Sequence, residues 1–282
     1  MRVGKINIES STFCNARCLF CPRYEMTRPM GEMSDELFHK IIKDGKDMGV
    51  KSYSPFMNGE PFVFPKIWEW LDYMEKEGVS VSLYTNGEFV DVDRLVKYKN
   101  IQYLDFSINA TTEETYNKVM RGPNFKRVVD NYFLARKKAK FMVRASFVKC
   151  EENIHEIEDF RKMFKRVQLC GYSNWTGDRV SPLARTGKKI PCWVLFHQMF
   201  VLWDGRVVLC CMEYNCKMPV GDANKQTLKE IWDSYAWIRE KHSRGEWDDI
   251  PICKKLKRPG VLNRKIVFFL VQLFEDVTAK AL

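Results

Sequence analysis

Three cysteines lie close together near the N-terminus, in the stretch Cys14-Asn15-Ala16-Arg17-Cys18-Leu19-Phe20-Cys21-Pro22. Their spacing, C-x3-C-x2-C, puts three thiols in one loop with no fourth ligand beside them. A structural zinc site closes a tetrahedron with four ligands. Three thiolates in one loop are more typical of a [4Fe–4S] cluster whose fourth iron is left open. An open iron is a place where a small molecule can bind and react.

A second group of cysteines follows a change in sequence character after residue 173. The dipeptide Asp204-Gly205 stands between two apolar runs, which indicates a β-hairpin turn. His197 lies in one of these runs and is expected to be a core histidine. The cysteines of this group are Cys192, Cys210, Cys211, Cys216 and Cys253.

The cysteine content is high for a chain without a secretory signature. The sequence has 10 cysteines among 282 residues. Its first residues, 1–5, lack the apolar core of a signal peptide. A disulfide framework is therefore not expected, and cluster or metal ligation becomes the leading explanation. Low-potential iron–sulfur chemistry also needs a reducing compartment, so we expect a cytoplasmic location.

Strand-like and helix-like runs alternate through the first two thirds of the chain. Ser34, followed by two acidic residues, is a predicted N-cap for a first helix. Hydrophobic periodicity separates the two classes of run. The predicted strands cover 5–10, 52–57, 79–84, 101–108, 141–148 and 167–172, and further predicted helices cover 65–77, 91–98, 124–139, 153–164 and 227–243.

Repeated strand–helix units predict an α/β fold with a parallel sheet. Six units over residues 1–175 fit a partial (β/α)6 TIM-like barrel, in which chemistry sits at the C-terminal ends of the strands. The three-cysteine loop follows the first strand and so belongs on that face. We expect a cysteine-rich extension over 176–258 and a C-terminal amphipathic helix over 259–282.

The charge balance is basic, with 46 Lys and Arg against 36 Asp and Glu. A net charge of +10 favours anionic partners, such as a phosphorylated substrate. No arginine-rich or aromatic–basic stripe indicates nucleic acid, which is not an expected partner. The apolar run 266–274 follows six basic residues and is too short to span a bilayer. For residues 264–282, contact with the inner face of an anionic membrane and packing against the barrel both stay open.

Together, these features resemble the radical S-adenosylmethionine enzymes. The likeness rests on the three-cysteine loop with Phe20 beside Cys21, and on three segments that each follow a predicted strand. Asn58-Gly59-Glu60-Pro61 is similar to the family's GGEP element. The other two segments are Leu83-Tyr84-Thr85-Asn86-Gly87 and Ser107-Ile108-Asn109.

The resemblance implies that Cys14, Cys18 and Cys21 hold a [4Fe–4S] cluster whose open iron binds S-adenosylmethionine. One electron then cleaves the sulfonium to a 5′-deoxyadenosyl radical, which removes a hydrogen atom from substrate. The protein supplies binding and orientation. The remaining side chains are assigned by the same resemblance. Glu60 would accept from the methionine ammonium, Gly59 would let the backbone approach closely, and Phe20 would lie against the adenine. Thr85 would contact the cofactor or shape the turn that carries it. Ser107 and Asn109 would contact the carboxylate or the ribose, and Arg144 or Arg121 would meet the carboxylate.

The second cysteine group resembles the SPASM domain and its shorter form, twitch. Cys192, Gly205 and Cys210 match the opening C-x(9–15)-G-x4-C pattern. Too few cysteines follow for two clusters, so the resemblance implies one auxiliary [4Fe–4S] cluster. Relatives with one cluster end in C-x2-C, whereas this chain has Cys253 and then Leu256. Three outcomes stay open: Cys216 as the fourth ligand, a cluster with three protein ligands, or a degenerate site.

The resemblance implies an oxidoreductase-like enzyme with a low-potential electron donor, flavodoxin or ferredoxin. We expect a small polar substrate, similar to a sugar or aminocyclitol or phosphorylated, and an oxidation or an epimerisation. A radical enzyme that matures a ribosomal peptide is the alternative, disfavoured because the predicted barrel starts near residue 5 without a preceding recognition domain. A non-catalytic iron–sulfur or metal-binding protein is the rival from another class. No catalytic acid or base is assigned.

Overall fold

The fold is a nine-stranded sheet with helices against one face. It comes from a computed structural model that describes residues 2–179 and 191–254. The strand order is β6-β5-β4-β3-β2-β1-β7-β8-β9, and every pair from β6 to β7 is parallel. The strands are β1 (Lys5–Ile8), β2 (Ser52–Ser54), β3 (Ser80–Thr85), β4 (Ile101–Ser107), β5 (Met142–Val148), β6 (Val167–Cys170), β7 (Gln198–Val201), β8 (Arg206–Val208) and β9 (Pro219–Asp222).

Helices connect the first six strands, as the alternation of periodicities predicted. Several begin at a side chain that caps the first turn, and the predicted cap at Ser34 is confirmed, since its Oγ accepts from the Leu37 N–H at 3.2 Å. The helices are α1 (Asp35–Asp47), α2 (Ile67–Lys76), α3 (Val92–Leu95), α4 (Glu113–Val119), α5 (Phe125–Lys138), α6 (Ile157–Met163), α7 (Trp193–His197), α8 (Leu228–Ser234), α9 (Ala236–Arg244) and α10 (Pro251–Lys254).

The two faces of the parallel sheet have different environments. In β5, Val143, Ala145 and Phe147 are buried, while Arg144 and Ser146 between them are only half-buried. The buried set packs under helices, as Phe106 of β4 does edge-on against Tyr132 of α5. The half-buried set faces the other side, so the concave side of the sheet is a polar lumen. Alternation with period two places these side chains.

The second cysteine group joins the same sheet. β7 pairs in parallel with β1, and β8 and β9 continue the sheet as antiparallel strands. The predicted hairpin is confirmed, since Gly205 has a φ of 91° in the turn. Gly205 N–H donates to the Leu202 carbonyl at 2.9 Å. This arrangement fixes the hairpin directly beside the first barrel strand. The boundary between 175 and 176 stays a prediction.

Several predicted elements need correction. The helix predicted at 227–243 is two helices, because Tyr235 leaves the helical region (ψ 25°) and is buried against Trp232. The predicted strands 5–10 and 52–57 end early, since residues past Ile8 and Ser54 form the rim loops. The sequence-based prediction missed α4, α7 and β9. His197 is half-buried rather than a core residue, and it stacks on Trp193.

The tail segment 264–282 lies outside the described residues. Among the described residues, no helix is long and apolar enough to cross a membrane.

Candidate functional site

The three-cysteine loop is fastened to the end of α4. Arg17 N–H donates to the Arg121 carbonyl and Leu19 N–H to the Val119 carbonyl, both at 2.8 Å. The backbones come so close that a Cβ on Gly122 would lie 2.4 Å from the carbonyl oxygen of Asn15. These contacts use backbone groups, so they fix the path of the loop whatever its side chains do.

The segment after β2 fastens the other side of the loop. A Cβ on Gly59 would lie 2.1 Å from the carbonyl oxygen of Ser11, which only glycine avoids. Glu60 N–H donates to the Phe13 carbonyl at 2.8 Å. Close approach of the two backbones therefore explains the glycine directly before the glutamate.

The Glu60 carboxylate turns inward and links β2 to β3. One oxygen accepts from the Thr85 hydroxyl at 2.6 Å and the Phe62 N–H at 3.3 Å, and the other from the Asn86 N–H at 2.7 Å. Burial raises the pKa of Glu60 to about 7, although the three hydrogen bonds oppose that shift. A carboxylate has about four acceptor positions, so one remains for a further donor such as an ammonium.

Asn86 connects the turn after β3 to the first cysteine. Its amide donates to the Asn15 side chain at 2.7 Å and lies 4.0 Å from the Cys14 sulfur. Asn15 in turn donates to Glu88 at 2.6 Å. The predicted motif segments therefore meet at one rim of the sheet.

The three thiols are half-buried. Burial raises the pKa of Cys14 to about 12 and raises the pKa of Cys18 and Cys21 as well. Because metal ligands bind as thiolates, a cationic group in this loop would offset that cost. No three His, Cys, Asp or Glu side chains of the described residues surround a point suited to one metal ion. A cluster binds each thiolate to a different iron, so the donor set fits a cluster better than a single ion.

The segment after β6 is hydrogen-bonded to the backbone at Phe20. The Trp175 indole N–H donates to the Phe20 carbonyl at 2.8 Å. Arg179 donates to the Leu19 carbonyl at 2.6 Å and pairs with Glu25. The Phe20 ring is half-buried and packs against core side chains. Its assignment to the adenine stays a prediction.

The remaining candidates for cofactor contacts differ in how accessible they are. Asn109 is fully buried with φ 65°, and its side-chain oxygen accepts from the Val148 N–H at 2.7 Å. This side chain joins the ends of β4 and β5. Ser107 is half-buried beside Ser146. The guanidinium of Arg144 donates twice to Asp105, at 2.7 and 2.6 Å, and Arg121 is exposed. Asn109 and Arg144 are thus engaged by the protein itself.

A polar cluster in the lumen was not predicted. The Lys5 ammonium donates to the Tyr103 hydroxyl at 3.2 Å and lies over the rings of Tyr84 and Tyr103. The two tyrosine hydroxyls are hydrogen-bonded to each other, and the Arg144 guanidinium lies 4.3 Å from the Tyr103 ring centre. The signal was present, because Lys5 and Asn7 alternate with isoleucines in β1, and Tyr103, Asp105 and Ser107 alternate with apolar residues in β4. We call Lys5, Tyr84, Tyr103, Asp105 and Arg144 the lumen cluster.

A buried ion pair joins the rim to the hairpin. Glu9, fully buried at the end of β1, pairs with Arg28 and accepts from Asn58 at 2.7 Å. Its second oxygen accepts from the Trp203 N–H at 3.2 Å. Arg28 also donates to the Tyr214 carbonyl at 2.6 Å. The end of β1, the segment after β2 and the hairpin region are therefore joined by one buried network.

The second group of cysteines divides between two regions. Cys210 belongs to the main core, against which Cys192 and Cys253 pack. Cys216 packs in a separate apolar cluster with Phe200, Leu202 and Val208. Close by in sequence, the Glu213 side chain is buried, and neither carboxylate oxygen has a hydrogen-bond partner among the described residues.

Comparison with known proteins gives two matches to protein-family models. The model of the radical SAM superfamily matches residues 8–164, more than half of the chain. The model of SPASM, an iron–sulfur cluster-binding domain, matches residues 192–255. Mycofactocin maturase MftC of Mycobacterium tuberculosis is 28% identical over 187 residues, which cover 65% of this chain and 46% of that protein. The chain spans about half the length of the curated relatives it matches.

Two solved structures show the same fold. SuiB of Streptococcus suis bound to its precursor peptide SuiA superposes with a TM-score of 0.70 at 17% identity, covering 84% of this chain and 67% of that one. BtrN in complex with AdoMet and 2-DOIA has a TM-score of 0.64 at 20% identity, covering 90% and 93%. These likenesses confirm the predicted TIM-barrel-like fold with its cysteine-rich extension.

Proposed function

Because this chain belongs to the radical SAM superfamily, we propose that it generates a radical from S-adenosylmethionine at the three-cysteine loop and uses it on a small polar substrate in the lumen. The superfamily consists of enzymes with a [4Fe–4S] cluster and S-adenosylmethionine, and the SPASM domain implies auxiliary iron–sulfur clusters. When reduced, the first cluster supplies the electron that cleaves the sulfonium. A flavodoxin or ferredoxin would be the proposed source of that electron.

In this proposal, residues of the rim hold the cofactor. Cys14, Cys18 and Cys21 hold the cluster, and the remaining acceptor position of Glu60 meets the methionine ammonium. Thr85 and Asn86 fix the orientation of Glu60 through their hydrogen bonds. Phe20 and Ser107 are proposed contacts for adenine and ribose. Gly59 and Asn109 act by positioning the backbone, because one is packed against Ser11 and the other is fully buried.

The proposal of a small polar substrate rests on the lumen cluster. It offers phenol, ammonium and guanidinium donors to the concave side, which aliphatic side chains would otherwise fill. Lys5 and Arg144 provide two cationic groups against one carboxylate, Asp105. Burial lowers the pKa of Lys5, so its charge is held at a cost that an anionic ligand would reduce. This environment suits a hydroxylated or phosphorylated small molecule.

An oxidation balances with the groups that the chain offers. A substrate carbinol carbon would lose a hydrogen atom to the 5′-deoxyadenosyl radical and its hydroxyl would lose a proton to solvent, while an auxiliary cluster held by the second cysteine group would take up the remaining electron. The product is a carbonyl compound. An epimerisation would instead need a hydrogen atom returned to the opposite face of that carbon, so the two outcomes differ in whether an electron leaves the substrate.

Peptide maturation is the second candidate. MftC is named as a mycofactocin maturase and SuiB was solved with a precursor peptide, so both relatives favour a peptide substrate. BtrN, solved with 2-DOIA, does not. The substrate class therefore rests on the lumen cluster and not on the relatives.

Transfer of deuterium distinguishes the two candidates. The reconstituted chain would receive dithionite, unlabelled S-adenosylmethionine and an ultrafiltered small-molecule fraction from a deuterium-grown culture of the encoding organism. We expect deuterated 5′-deoxyadenosine by mass spectrometry, unchanged after protease treatment of the fraction. The high-mass fraction that the filter retains would be assayed in parallel. Deuterium transfer from that fraction alone, lost after protease treatment, would instead establish a peptide substrate.

A lumen variant tests the placement of the substrate. Tyr103→Phe removes one hydroxyl from the lumen cluster and should lower deuterium transfer about tenfold, the equivalent of one hydrogen bond. Tyr73→Phe, on the outer helix α2, is the matched control. Equal transfer by the two variants would contradict a substrate in the lumen.

A further inference from the structure

The outer side of the three-cysteine loop is covered by two neighbouring side chains. The Arg23 guanidinium donates to the Cys14 carbonyl at 3.3 Å and to the Ala16 carbonyl at 3.0 Å. The Tyr24 hydroxyl also donates to the Ala16 carbonyl, at 3.4 Å. Arg23 is buried, whereas Tyr24 is 52% exposed. The Tyr24 side chain therefore reaches from solvent to the backbone between two of the three thiols.

Two arginines belong to the same part of the surface. The Arg17 guanidinium carbon lies 5.1 Å from the centre of the Tyr24 ring, which is a cation–π contact. Arg121 adjoins Arg17, because the Arg17 N–H donates to its carbonyl at 2.8 Å. Both arginines are exposed, and neither forms an ion pair with another of the described residues. We call Arg17, Tyr24 and Arg121 the arginine–tyrosine surface.

The acidic groups beside this surface are already engaged. Glu25 pairs with Arg179. Glu88 turns towards the loop, where its carboxylate accepts from the Asn15 side chain at 2.6 Å and from the Asn124 N–H at 3.0 Å. The charges of the two arginines are therefore available to an anionic partner from outside the chain.

We propose that the arginine–tyrosine surface is the docking site of an acidic flavodoxin, which delivers the electron for a cluster in the three-cysteine loop. The inference rests on the proposed function, because only a cluster in this loop needs an electron at this place. In each encounter the reduced flavin loses one electron and the cluster gains it, and no atom is exchanged. Opposite charges guide such an encounter, and the net charge of +10 acts in the same direction.

The composition of this surface suits a flavin donor. Tyrosine and arginine are enriched among the residues that anchor protein interfaces. The exposed ring of Tyr24 offers an apolar contact to the edge of a flavin, while the guanidinium beside it pairs with carboxylates of the partner. Because Tyr24 is hydrogen-bonded to the loop backbone, this contact brings the flavin within one side chain of the loop.

Cleavage of S-adenosylmethionine with two different reductants is the direct test. The full chain, reconstituted anaerobically, would receive S-adenosylmethionine with either enzymatically reduced flavodoxin or dithionite, and 5′-deoxyadenosine formation would be measured. Arg17→Glu should lower the flavodoxin-driven rate about tenfold, because the charge attraction is reversed. The dithionite-driven rate and the iron content should stay unchanged, since dithionite reaches the cluster without a docked protein. Salt at about 0.5 M should lower the wild-type flavodoxin-driven rate in the same way.

Three further variants separate charge from structure. Arg17→Lys keeps the charge and should retain the flavodoxin-driven rate. Lys137→Glu, in the exposed last turn of α5, makes the same change in net charge away from the loop and should also retain it. Tyr24→Leu keeps the charge but removes the ring, and should raise the flavodoxin concentration for half-maximal rate about fivefold.

Equal flavodoxin-driven rates in Arg17→Glu and Lys137→Glu would overturn the docking surface, as would an equal loss with dithionite. A loss confined to an acidic ferredoxin as the donor would also overturn it, because the occupant would then be a different protein. Absence of 5′-deoxyadenosine from the wild-type chain with dithionite would instead refute the proposed function, and the docking surface with it.

Discussion

The two cysteine groups are held by the protein in different ways. The three-cysteine loop is fixed by backbone hydrogen bonds from the ends of α4 and β2, and by side chains from the turn after β3. The second group depends on side-chain packing, with Cys210 in the core and Cys253 against His242. Backbone contacts fix the path of the first loop whatever its side chains are, whereas the position of each thiol in the second group depends on the side chains packed around it.

Removing a thiol from the first loop should have the largest effect. Cys14→Ala is expected to lower the iron content of the reconstituted chain by about four atoms, because a cluster with two protein ligands is not retained. Iron and sulfide analysis measures the loss. Cys170→Ala, at the half-buried end of β6, is the matched control and should keep all iron. Equal iron in the two variants would show that Cys14 holds no cluster.

Breaking the ion pair between the two regions should have the next largest effect. Arg28→Ala leaves the Glu9 carboxylate buried without its charged partner, which costs about 3–5 kcal/mol of unfolding free energy. Chemical denaturation of the variant measures the change. Lys126→Ala removes an exposed i,i+4 pair with Asp130 and should cost less than about 0.5 kcal/mol. A similar small loss for Arg28→Ala would contradict the shared buried network.

A methyl group at the contact between the rim loops should have a moderate effect. Gly59→Ala puts a Cβ 2.1 Å from the Ser11 carbonyl oxygen, and we expect a cost of about 1–3 kcal/mol with weaker cluster retention. Gly4→Ala is the control, since its Cβ would meet the His197 carbonyl oxygen at an ordinary 3.6 Å. Equal stability and iron content of the two variants would contradict the close approach described for the rim.

The smallest effect is expected at Cys216. If this thiol only fills the apolar cluster beside Phe200, then Cys216→Ala costs about 1 kcal/mol and leaves the iron content unchanged. Iron analysis and denaturation of the same sample give both values. Loss of about four iron atoms would instead place Cys216 among the cluster ligands.

Much of the rim was predictable because its signals are local. The spacing of Cys14, Cys18 and Cys21 and the segments around Glu60 and Thr85 each follow a strand, and parallel strands bring such segments to one edge. The lumen cluster was missed, although polar residues alternate in β1 and β4, because those runs were assigned only as strands. Two contacts could not be predicted because they depend on tertiary packing, which a local sequence pattern does not show. They are the hydrogen bond from the Val148 N–H to the Asn109 side chain and the contact of His242 with Cys253. The split at Tyr235 likewise follows from its burial against Trp232.

Reductive cleavage of S-adenosylmethionine, measured side by side in three proteins, tests the division of roles between the two regions. Anaerobically reconstituted wild-type chain, Cys14→Ala and Cys253→Ala would each receive dithionite and S-adenosylmethionine, with 5′-deoxyadenosine measured by liquid chromatography. We predict that wild type and Cys253→Ala both form 5′-deoxyadenosine, whereas Cys14→Ala forms none. Formation by Cys14→Ala, or no formation by a wild-type chain that holds its full iron content, would contradict the assignment of radical generation to the three-cysteine loop.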